Sequence, residues 1–268
     1  MVLETPTSPP PRARNFARGL LAAGHGLVGG LADLIIPPAC LACQEPLGAH
    51  DAVCASCWSG IDFIRAPLCD RLGLPMPFDT GGRMISAAAA AAPPTYDRAR
   101  AVAHYAGAMR EMVLAFKYGD THNAHKLFGR WLTSAGAELV ETCDVITPVP
   151  MHPRRLLARR FNQAAILARE LARTSRCRYR PQLIRRVRQT SAQVGLTRDQ
   201  RRRNLAGAFQ VPDRQRRHID GRRILLVDDV ITTGSTLNAC ARSLRRAGAT
   251  HVDALALAIV TNESAVTL

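Results

Sequence analysis

The stretch ILLVDDVITTGST, residues 224–236, decides the fold of this 268-residue chain. Its first four residues, Ile224 to Val227, are apolar and predict a buried strand, and two adjacent carboxylates, Asp228 and Asp229, follow directly. A short loop of small residues comes next: Thr232, Thr233, Gly234, Ser235 and Thr236. A strand that delivers two acids and then a loop of phosphate size suits a ligand with sugar hydroxyls and a phosphate group.

A helix is predicted immediately after this loop. Apolar residues recur at i, i+3, i+4 and i+7, and Gly248 stands where such a helix should stop. The apolar residues are Leu237, Cys240, Ala241 and Leu244. The loop therefore lies at a helix N-terminus, where free N–H groups and the helix dipole favour an anion. Because the neighbouring acids can accept hydrogen bonds from ribose hydroxyls, the segment predicts a phosphoribosyl-binding site.

Two other interpretations of the segment compete with this one. A buried strand that runs into a capped helix is common, but adjacent acids followed by T-T-G-S-T are not. The second motif of a P-loop NTPase also ends an apolar run in acids, but it requires a G-x-x-x-x-G-K-[ST] loop elsewhere. The chain has only two lysines, Lys117 and Lys126, and neither follows such a loop, so we reject this class.

The alternation of strands and helices upstream predicts a mostly parallel α/β sheet. Val145 to Val149 form a second strand that ends in a proline-rich turn, Pro148 to Pro153, and Asn162 then caps a helix. Ligands of parallel sheets lie at the carboxyl ends of the strands. We therefore expect Asp228, Asp229 and this turn to meet at one edge of the sheet.

Positive charge is concentrated in one part of the chain. The formal net charge is +15, and residues 150–225 contain 21 arginines against four acids, a net charge of +17. Such a field attracts polyanions, namely a pyrophosphate-bearing substrate, single-stranded nucleic acid, or both. The alternative is a solvated basic face without a dedicated ligand. Aromatic residues that could stack bases are sparse in this segment, which weakens the nucleic-acid interpretation.

Four cysteines in two C-x-x-C pairs predict a structural zinc site. Cys40 and Cys43 form the first pair, and Cys54 and Cys57 form the second. Two such pairs can close a four-sulfur site, and the metal would largely hold so small a domain folded. Disulfides are the alternative, which a chain without a convincing secretion signal disfavours. We expect the other cysteines to be structural, core or incidental thiols: Cys69, Cys143, Cys177 and Cys240.

The segment 224–236 closely resembles the phosphoribosyl-pyrophosphate signature of type I phosphoribosyltransferases. The whole pattern resembles the ComF family of phosphoribosyltransferase-like proteins, whose members are linked to competence for DNA uptake. Besides the cysteine domain and the acidic signature, the resemblance rests on Phe116-Lys117-Tyr118-Gly119, Pro148-Val149-Pro150, Arg159-Arg160-Phe161-Asn162-Gln163, Arg188-x-Thr190-x-x-Gln193 and Arg202-x-Asn204. Two residues depart from it: Arg160 replaces a glycine of many members, and Leu72 replaces a cysteine that would complete a second knuckle.

The resemblance implies a type I phosphoribosyltransferase-like fold, a mostly parallel sheet flanked by helices, with a small N-terminal cysteine-rich zinc domain. It implies that phosphoribosyl pyrophosphate binds with Mg²⁺ and that a nitrogen nucleophile of unknown identity attacks the ribose. Asp228 and Asp229 would hold the ribose hydroxyls, and the residues from Thr232 to Thr236 would hold the 5′-phosphate. The turn that contains Val149 and Pro150 would bind the pyrophosphate.

A mobile hood over residues 185–204 would carry Arg188, which would stabilise the leaving pyrophosphate. Two further functions are compatible with the resemblance. One is a non-catalytic module of DNA uptake that binds single-stranded DNA or a helicase-type partner. The other is an enzyme that salvages purine or pyrimidine bases.

The implied organisation has five parts. They are a disordered tail over residues 1–14, an amphipathic helix over 15–36, a zinc-ribbon-like domain over 37–80, a linker over 81–95 and a phosphoribosyltransferase-like domain over 96–268. The sequence shows no membrane span, and we expect a cytoplasmic protein.

Overall fold

The computed structural model describes residues 37–118, 124–188, 205 and 207–261. The predicted tail over 1–14 and helix over 15–36 lie outside the described residues, as do residues 189–204 of the hood predicted over 185–204. Within the described part of the chain, no helix has the length and apolarity needed to cross a bilayer.

Five parallel strands form the main sheet, in the order β1-β7-β6-β2-β3. Its strands are β1 (Ala99–His104), β2 (Val145–Pro148), β3 (Arg178–Tyr179), β6 (Arg223–Ile231) and β7 (His251–Ile259). A short antiparallel pair, β4 (Arg185–Arg186) and β5 (Phe209–Gln210), lies apart from this sheet. The predicted mostly parallel α/β sheet is confirmed.

Helices cover both faces of the sheet. In chain order they are α1 (Ala55–Ser59), α2 (Ala87–Ala91), α3 (Gly107–Tyr118), α4 (Ala124–Ala135), α5 (Ala137–Thr142), α6 (Pro153–Arg159), α7 (Gln163–Arg173), a 3-10 helix (Asp213–His218) and α8 (Ser235–Arg246). The apolar residues of α3, α4 and α7 fill one core, and those of α8, β5 and the segment before β4 fill the other.

The apolar run at the start of β6 serves both cores. Ile224 and Leu226 face the core of α8, whereas Leu225 and Val227 face the core of α3 and α7. Successive side chains of a strand point to opposite faces, so a central strand with two covered faces is a continuous apolar run rather than an alternating one. All four residues have at most 1% exposure, which explains why this stretch carries the fold signal.

The strand order reverses between β2 and β6. From β2 the chain continues outward to β3, whereas from β6 it continues in the other direction to β7. Ligands of open α/β sheets bind outside the carboxyl ends of the strands at such a switch point. The sheet register pairs Pro148 with Val227, so the proline-rich turn and the two acids meet at this edge, as the sequence predicted.

The cysteine-rich segment packs against the outer strand of the sheet. Its chain adds an isolated bridge between Phe63 and Ala103, and the Ile64 N–H donates to the Val102 carbonyl over 3.0 Å. An aromatic cluster continues the contact, with the Trp58 and Trp131 ring centroids 5.8 Å apart.

One expectation about the thiols was wrong. Cys143 and Cys177, taken from sequence as core or incidental thiols, are joined in a disulfide that ties the end of α5 to the segment before β3. The two residues lie 34 positions apart in sequence. They come together because β2 and β3 are neighbouring parallel strands that both begin there. Cys240 is fully buried on α8, as expected.

Candidate functional site

The polar loop after β6 ends in a left-handed glycine. Gly234 has φ of 67°, a conformation that other residues adopt only with strain, and it precedes the first turn of α8. A Cβ at Gly234 would lie 3.3 Å from the Tyr96 hydroxyl oxygen. The side chains of Thr233 and Ser235 share a hydrogen bond of 2.9 Å across the loop. The loop therefore presents hydroxyls and free helix N–H groups around a close backbone approach, which fits an anion.

Contacts from the segment before β1 brace the loop. The Asn238 N–H donates to the Gly234 carbonyl over 2.8 Å, and the Asn238 side chain accepts from the Thr95 N–H over 2.5 Å. Tyr96, buried to 3% exposure, packs beside Gly234. Residues about 140 positions away in sequence thus hold the loop in shape, and the sequence analysis did not identify them.

The two acids belong to β6 itself, which continues through both of them to Ile231. The Asp229 N–H donates to the Asp228 carboxylate over 2.9 Å, and Lys117 Nζ lies 3.3 Å from the Asp229 carboxylate. The backbone carbonyl of Lys117 in turn accepts from the buried Gln163 side chain over 3.1 Å. Lys117, from the end of α3, thereby positions Asp229 at the edge of the sheet.

Asp228 has an unusual protonation equilibrium. Burial, and after it repulsion from Asp229, raise the pKa of Asp228 from its ordinary value of 3.8 to about 8. The nearby cations Lys117 and Arg186 lower it only in part. A buried carboxyl that titrates near neutral pH, next to an anion-binding loop, is typical of a functional site.

The proline-rich turn borders the acids directly. The Val149 N–H donates to the Val227 carbonyl over 2.8 Å, so the turn begins beside the residue that precedes Asp228. Asn162 fixes the other end, since its side chain donates to the Val149 carbonyl over 3.1 Å and also caps α7. Val149 is buried and Pro150 is partly exposed at this edge.

Arg186 approaches the site on the face opposite to Lys117. Its guanidinium lies over the Phe209 ring, 5.5 Å from the centroid, and its charge acts on Asp228. Burial, and then repulsion from Arg155, lower the pKa of Arg186. Arg188, named from sequence, is exposed at the point where the described segment ends.

The four cysteines predicted to bind zinc do come together. Their sulfur atoms all lie within 4.8 Å of one another, and the Cys43 and Cys54 sulfurs are 3.8 Å apart. Zn–S bonds of about 2.3 Å place the sulfurs of a tetrahedral site at roughly 3.8 Å from one another, so the cluster fits zinc. Hydrogen bonding to Cys54, and then burial, raise the pKa of Cys57 to about 12. Thiols this crowded need a cation before all of them can ionise.

Comparison with known proteins agrees with this architecture. A phosphoribosyl transferase domain matches residues 161–265, and a double zinc ribbon domain matches residues 31–89. The DNA utilization protein YhgH of Escherichia coli (strain K12) is 31% identical over 228 residues, which cover 82% of this chain and 96% of that protein. The chain belongs to the ComF family. Competence protein F of Haemophilus influenzae is 32% identical to this ComF-family chain over 170 residues, 62% of this chain and 74% of that protein.

Solved structures give more distant matches to this ComF-family chain. A phosphoribosyltransferase from Corynebacterium diphtheriae aligns with a TM-score of 0.31 and 16% identity, covering 59% of this chain and 88% of that one. The allosteric regulatory enzyme of purine biosynthesis aligns with a TM-score of 0.37 and 21% identity, covering 54% and 30%.

Sequence reasoning missed three side chains at the site. Lys117 contacts Asp229, Tyr96 packs on Gly234, and Arg186 faces Asp228. Of these only Lys117 carried a signal, as one of two lysines in an arginine-rich chain and as part of the Phe116-Lys117-Tyr118-Gly119 motif. The fold brings Tyr96 and Arg186 to the site, and no local motif around either residue predicts this.

Proposed function

We propose that this ComF-family chain acts in the cytoplasm, where it binds phosphoribosyl pyrophosphate with Mg²⁺ at the carboxyl edge of the sheet. The observation that carries the proposal is the loop at Gly234, a left-handed turn at the N-terminus of α8, beside two carboxylates at the end of β6. That combination offers acceptors for vicinal hydroxyls and donors for a phosphate within one short segment of chain.

Each part of the ligand has a counterpart at this edge. Asp228 and Asp229 accept the ribose hydroxyls, and the loop from Thr232 to Thr236 donates to the 5′-phosphate. The turn at Val149 and Pro150 faces the pyrophosphate, since its first N–H is bonded to the strand that bears the acids. Arg188 stabilises the charge of the leaving group when a nitrogen nucleophile attacks the anomeric carbon.

The donor set at this edge fits a magnesium ion that arrives with its ligand. Mg²⁺ prefers carboxylate and phosphate oxygens, and Asp228 and Asp229 supply the carboxylates. Burial and then repulsion from Asp229 raise the pKa of Asp228, and a cation bound beside the two acids would favour its ionised form. When bound with the ligand, the ion supplies charge neutralisation for the leaving pyrophosphate.

Calorimetry on the wild-type chain tests this proposal. We expect binding of phosphoribosyl pyrophosphate that strengthens with Mg²⁺, and absence of heat under both conditions would overturn it. Asp228→Asn with Asp229→Asn should weaken binding by about 100-fold or more, because a hydrogen bond to a charged group contributes about 1.5–3 kcal/mol. Asp213→Asn removes a carboxylate that is 96% exposed on the 3-10 helix and serves as the control. Release of pyrophosphate with a panel of acceptor bases then tests the salvage hypothesis.

A second function, binding of single-stranded DNA, is favoured by a basic pocket at the opposite edge of the sheet. This pocket has a volume of about 210 Å³. Arginines and one histidine dominate its lining: Arg176, Arg178, Arg180, Arg217, Arg222 and His218. Asp144, which also lines it, lies 3.7 Å from Arg222 and accepts from the Arg223 N–H.

The charges in this amino-edge pocket are crowded. Burial, and then repulsion from Arg180, Arg217 and Arg178, lower the pKa of His218. A phosphate backbone would relieve this repulsion, and two relatives of the chain are named for DNA utilization and competence. The pocket lies at the start of β2 and β6, and Arg223 is about 17 Å from Asp228 along β6 at the usual rise per residue.

Competition separates the two functions. If oligonucleotides bind at the amino edge, excess phosphoribosyl pyrophosphate with Mg²⁺ should leave the anisotropy of a labelled oligothymidine complex unchanged. Displacement of the oligonucleotide would show instead that both anions use one basic groove. A helicase-type partner in DNA uptake stays a prediction.

A further inference from the structure

The chain from Pro67 to Met76 repeats the first cysteine turn, hydrogen bond by hydrogen bond. The first turn has an isolated bridge between Ala39 and Pro46, and the second has one between Leu68 and Pro75. In the first turn the N–H groups of Cys40, Gln44 and Leu47 donate to the carbonyls of Glu45, Cys40 and Pro38, respectively. In the second turn the N–H groups of Cys69, Gly73 and Met76 donate to the carbonyls of Leu74, Cys69 and Pro67, respectively. Both turns also place a residue with positive φ at the same position, Gln44 at 63° and Gly73 at 67°.

The elements that follow the two turns correspond as well. The Leu41 N–H donates to the carbonyl of Ala52, two residues before Cys54. In the same way, the Asp70 N–H donates to the carbonyl of Met84, two residues before Ser86. Cys54 then caps α1 through its sulfur, just as Ser86 caps α2 through its hydroxyl.

The first cysteine of each turn accepts the same set of hydrogen bonds. The Cys54 N–H donates to the Cys40 sulfur over 3.3 Å, and the Ser86 N–H donates to the Cys69 sulfur over 3.2 Å. The N–H groups two and three positions after each cysteine complete both sets. Residues 67–91 therefore have the backbone of a zinc ribbon, which we call the second ribbon.

This correspondence identifies what stands at each ligand position of the second ribbon. Cys69 stands where Cys40 does, Leu72 where Cys43 does, Ser86 where Cys54 does and Ala89 where Cys57 does. Structural zinc sites use Cys or His at all four positions, so a single thiol with Leu, Ser and Ala does not fit a zinc ion. The second metal that a double zinc ribbon would hold has no ligand set here.

Other contacts stabilise the second ribbon. Cys69 and Ala89 are at 0% and 1% exposure, so two of the four ligand positions are buried within the ribbon. A Cβ at Gly73 would lie 2.3 Å from the Ala99 carbonyl, which shows how closely the turn lies on β1. Arg100, at 7% exposure, donates to the Asp70 carbonyl over 3.0 Å. The sheet thus supports the second ribbon without a metal, whereas the first ribbon has its thiol cluster in addition to its own contact with Trp131.

We propose that the second ribbon is a zinc ribbon that keeps its fold without a metal, so that the chain holds one zinc ion rather than two. The loss of three ligands is tolerated because this ribbon is docked on β1, whereas the first ribbon depends on its ion.

Two measurements on the wild-type chain test this proposal. Elemental analysis should give one zinc per chain, and two would overturn the proposal. Hydrogen exchange should show that a chelator removes amide protection from residues 38–47 while residues 67–76 keep theirs. Simultaneous loss of protection in both turns would show that the second ribbon has no metal-free stability of its own.

Rebuilding the ligands tests the geometry. Leu72→Cys, Ser86→Cys and Ala89→Cys together should raise the zinc content to two per chain and give cobalt–thiolate absorption of twice the wild-type intensity. The matched control, Leu72→Ser with Ala89→Ser, makes similar changes in size and polarity at two of the same positions and should keep one zinc. A rebuilt chain that binds a single ion would contradict the equivalence of the two turns.

Discussion

The two edges of the sheet attract anions by different means. At the carboxyl edge the donors are backbone N–H groups and hydroxyls around Gly234, and two acids stand beside them. At the amino edge the attraction comes from side chains, chiefly Arg178, Arg180 and Arg217. A backbone loop fixes the distance between phosphate and sugar, whereas long arginine side chains adapt to any phosphate within reach.

This difference indicates that the carboxyl edge binds anions selectively and that the amino edge binds them with little selectivity. Asp229, and Asp228 once it is ionised, repel a bare phosphate chain and favour a ligand that brings hydroxyls or a divalent ion. Among the described residues that line the amino-edge pocket, five arginines stand against one acid, Asp144, so this lining lacks a comparable pair of acids. We therefore expect selective binding with little dependence on salt at the carboxyl edge, and unselective salt-dependent binding at the amino edge.

The largest expected difference between the edges is their response to pH. The folded-state pKa of Asp228 lies above its ordinary value, so its contribution to stability is fully present below about pH 4 and is lost as the pH rises toward 8. Asp228→Asn removes this loss. The stability that the variant gains over the wild type should therefore be larger at pH 8 than at pH 4.5 by roughly 2–3 kcal/mol, since each pKa unit corresponds to about 1.4 kcal/mol and Asp228 as a whole residue is only partly buried. Denaturant unfolding at fixed zinc measures it.

The amino edge should respond in the opposite direction. Because the folded-state pKa of His218 is lowered, stability there is present above its ordinary value of 6.5 and is lost as the pH falls through the folded value. His218→Gln should flatten the acid side of the stability profile and leave the alkaline side unchanged. For the carboxyl edge, the wild type should lose stability between pH 4.5 and pH 8, and Asp228→Asn should abolish that loss. If the free energy of unfolding of the two proteins changes equally over this range, the burial of Asp228 is contradicted.

The second prediction concerns the glycine of the binding loop. Gly234→Ala places a Cβ at φ of 67° and 3.3 Å from the Tyr96 hydroxyl oxygen, so the loop must shift. We expect affinity for phosphoribosyl pyrophosphate to fall by about 10- to 30-fold, since the strain amounts to about 1–2 kcal/mol. Calorimetry at saturating Mg²⁺ measures it.

Gly221 provides the matched control at the amino edge. It has φ of 68° with open space around its Cβ position, so Gly221→Ala adds the same backbone strain without touching the loop. Its melting temperature should fall while ligand affinity stays at the wild-type value. Equal losses of affinity in both variants would mean that global stability, rather than loop shape, limits binding.

The same contrast explains how much the sequence could predict. The strand, acids, loop and helix from Ile224 to Arg246 are contiguous, so their pattern predicted β6, the anion loop and α8 from local rules. The thiol cluster is equally local, since two C-x-x-C pairs lie within 18 residues from Cys40 to Cys57.

Features assembled from distant segments escaped prediction. The amino-edge pocket combines residues on either side of β3 with others from the 3-10 helix and the start of β6, and the charge count indicated only that polyanions are attracted. The disulfide between Cys143 and Cys177 depends on the pairing of β2 with β3, which no spacing rule gives. The second ribbon was visible only in part: Leu72 marked an incomplete knuckle, but Ser86 and Ala89 belong to no motif that would identify them as the other two ligand positions.

The third prediction concerns salt. Arg178→Ala with Arg180→Ala should weaken oligothymidine binding about 10-fold at 0.1 M salt. The double change should also lower the steepness of log affinity against log salt by about 1.4, since each phosphate that an arginine neutralises on a single strand adds about 0.7 to it. Phosphoribosyl pyrophosphate affinity should stay the same. Arg173→Ala with Arg214→Ala removes equal charge from exposed positions outside the pocket and should change the slope by less. Equal changes in the two variants would indicate a diffuse basic surface.

The smallest expected effect lies at Arg160, which follows α6 beside the proline-rich turn. Arg160 adopts φ of 65°, the left-handed conformation in which glycine is unstrained. Arg160→Gly should raise the free energy of unfolding by about 0.5–1 kcal/mol, because relief of strain exceeds the added entropy of the unfolded chain. Arg160→Ala removes the same charge but keeps the strain, so it should leave stability near the wild-type value. If the carboxyl edge selects its ligand by backbone geometry, both variants should bind phosphoribosyl pyrophosphate within about 2-fold of wild type, since a solvent-exposed charge contributes under about 0.5 kcal/mol. A larger loss, shared by the glycine and alanine variants, would show that arginine charge governs this edge as it does the other.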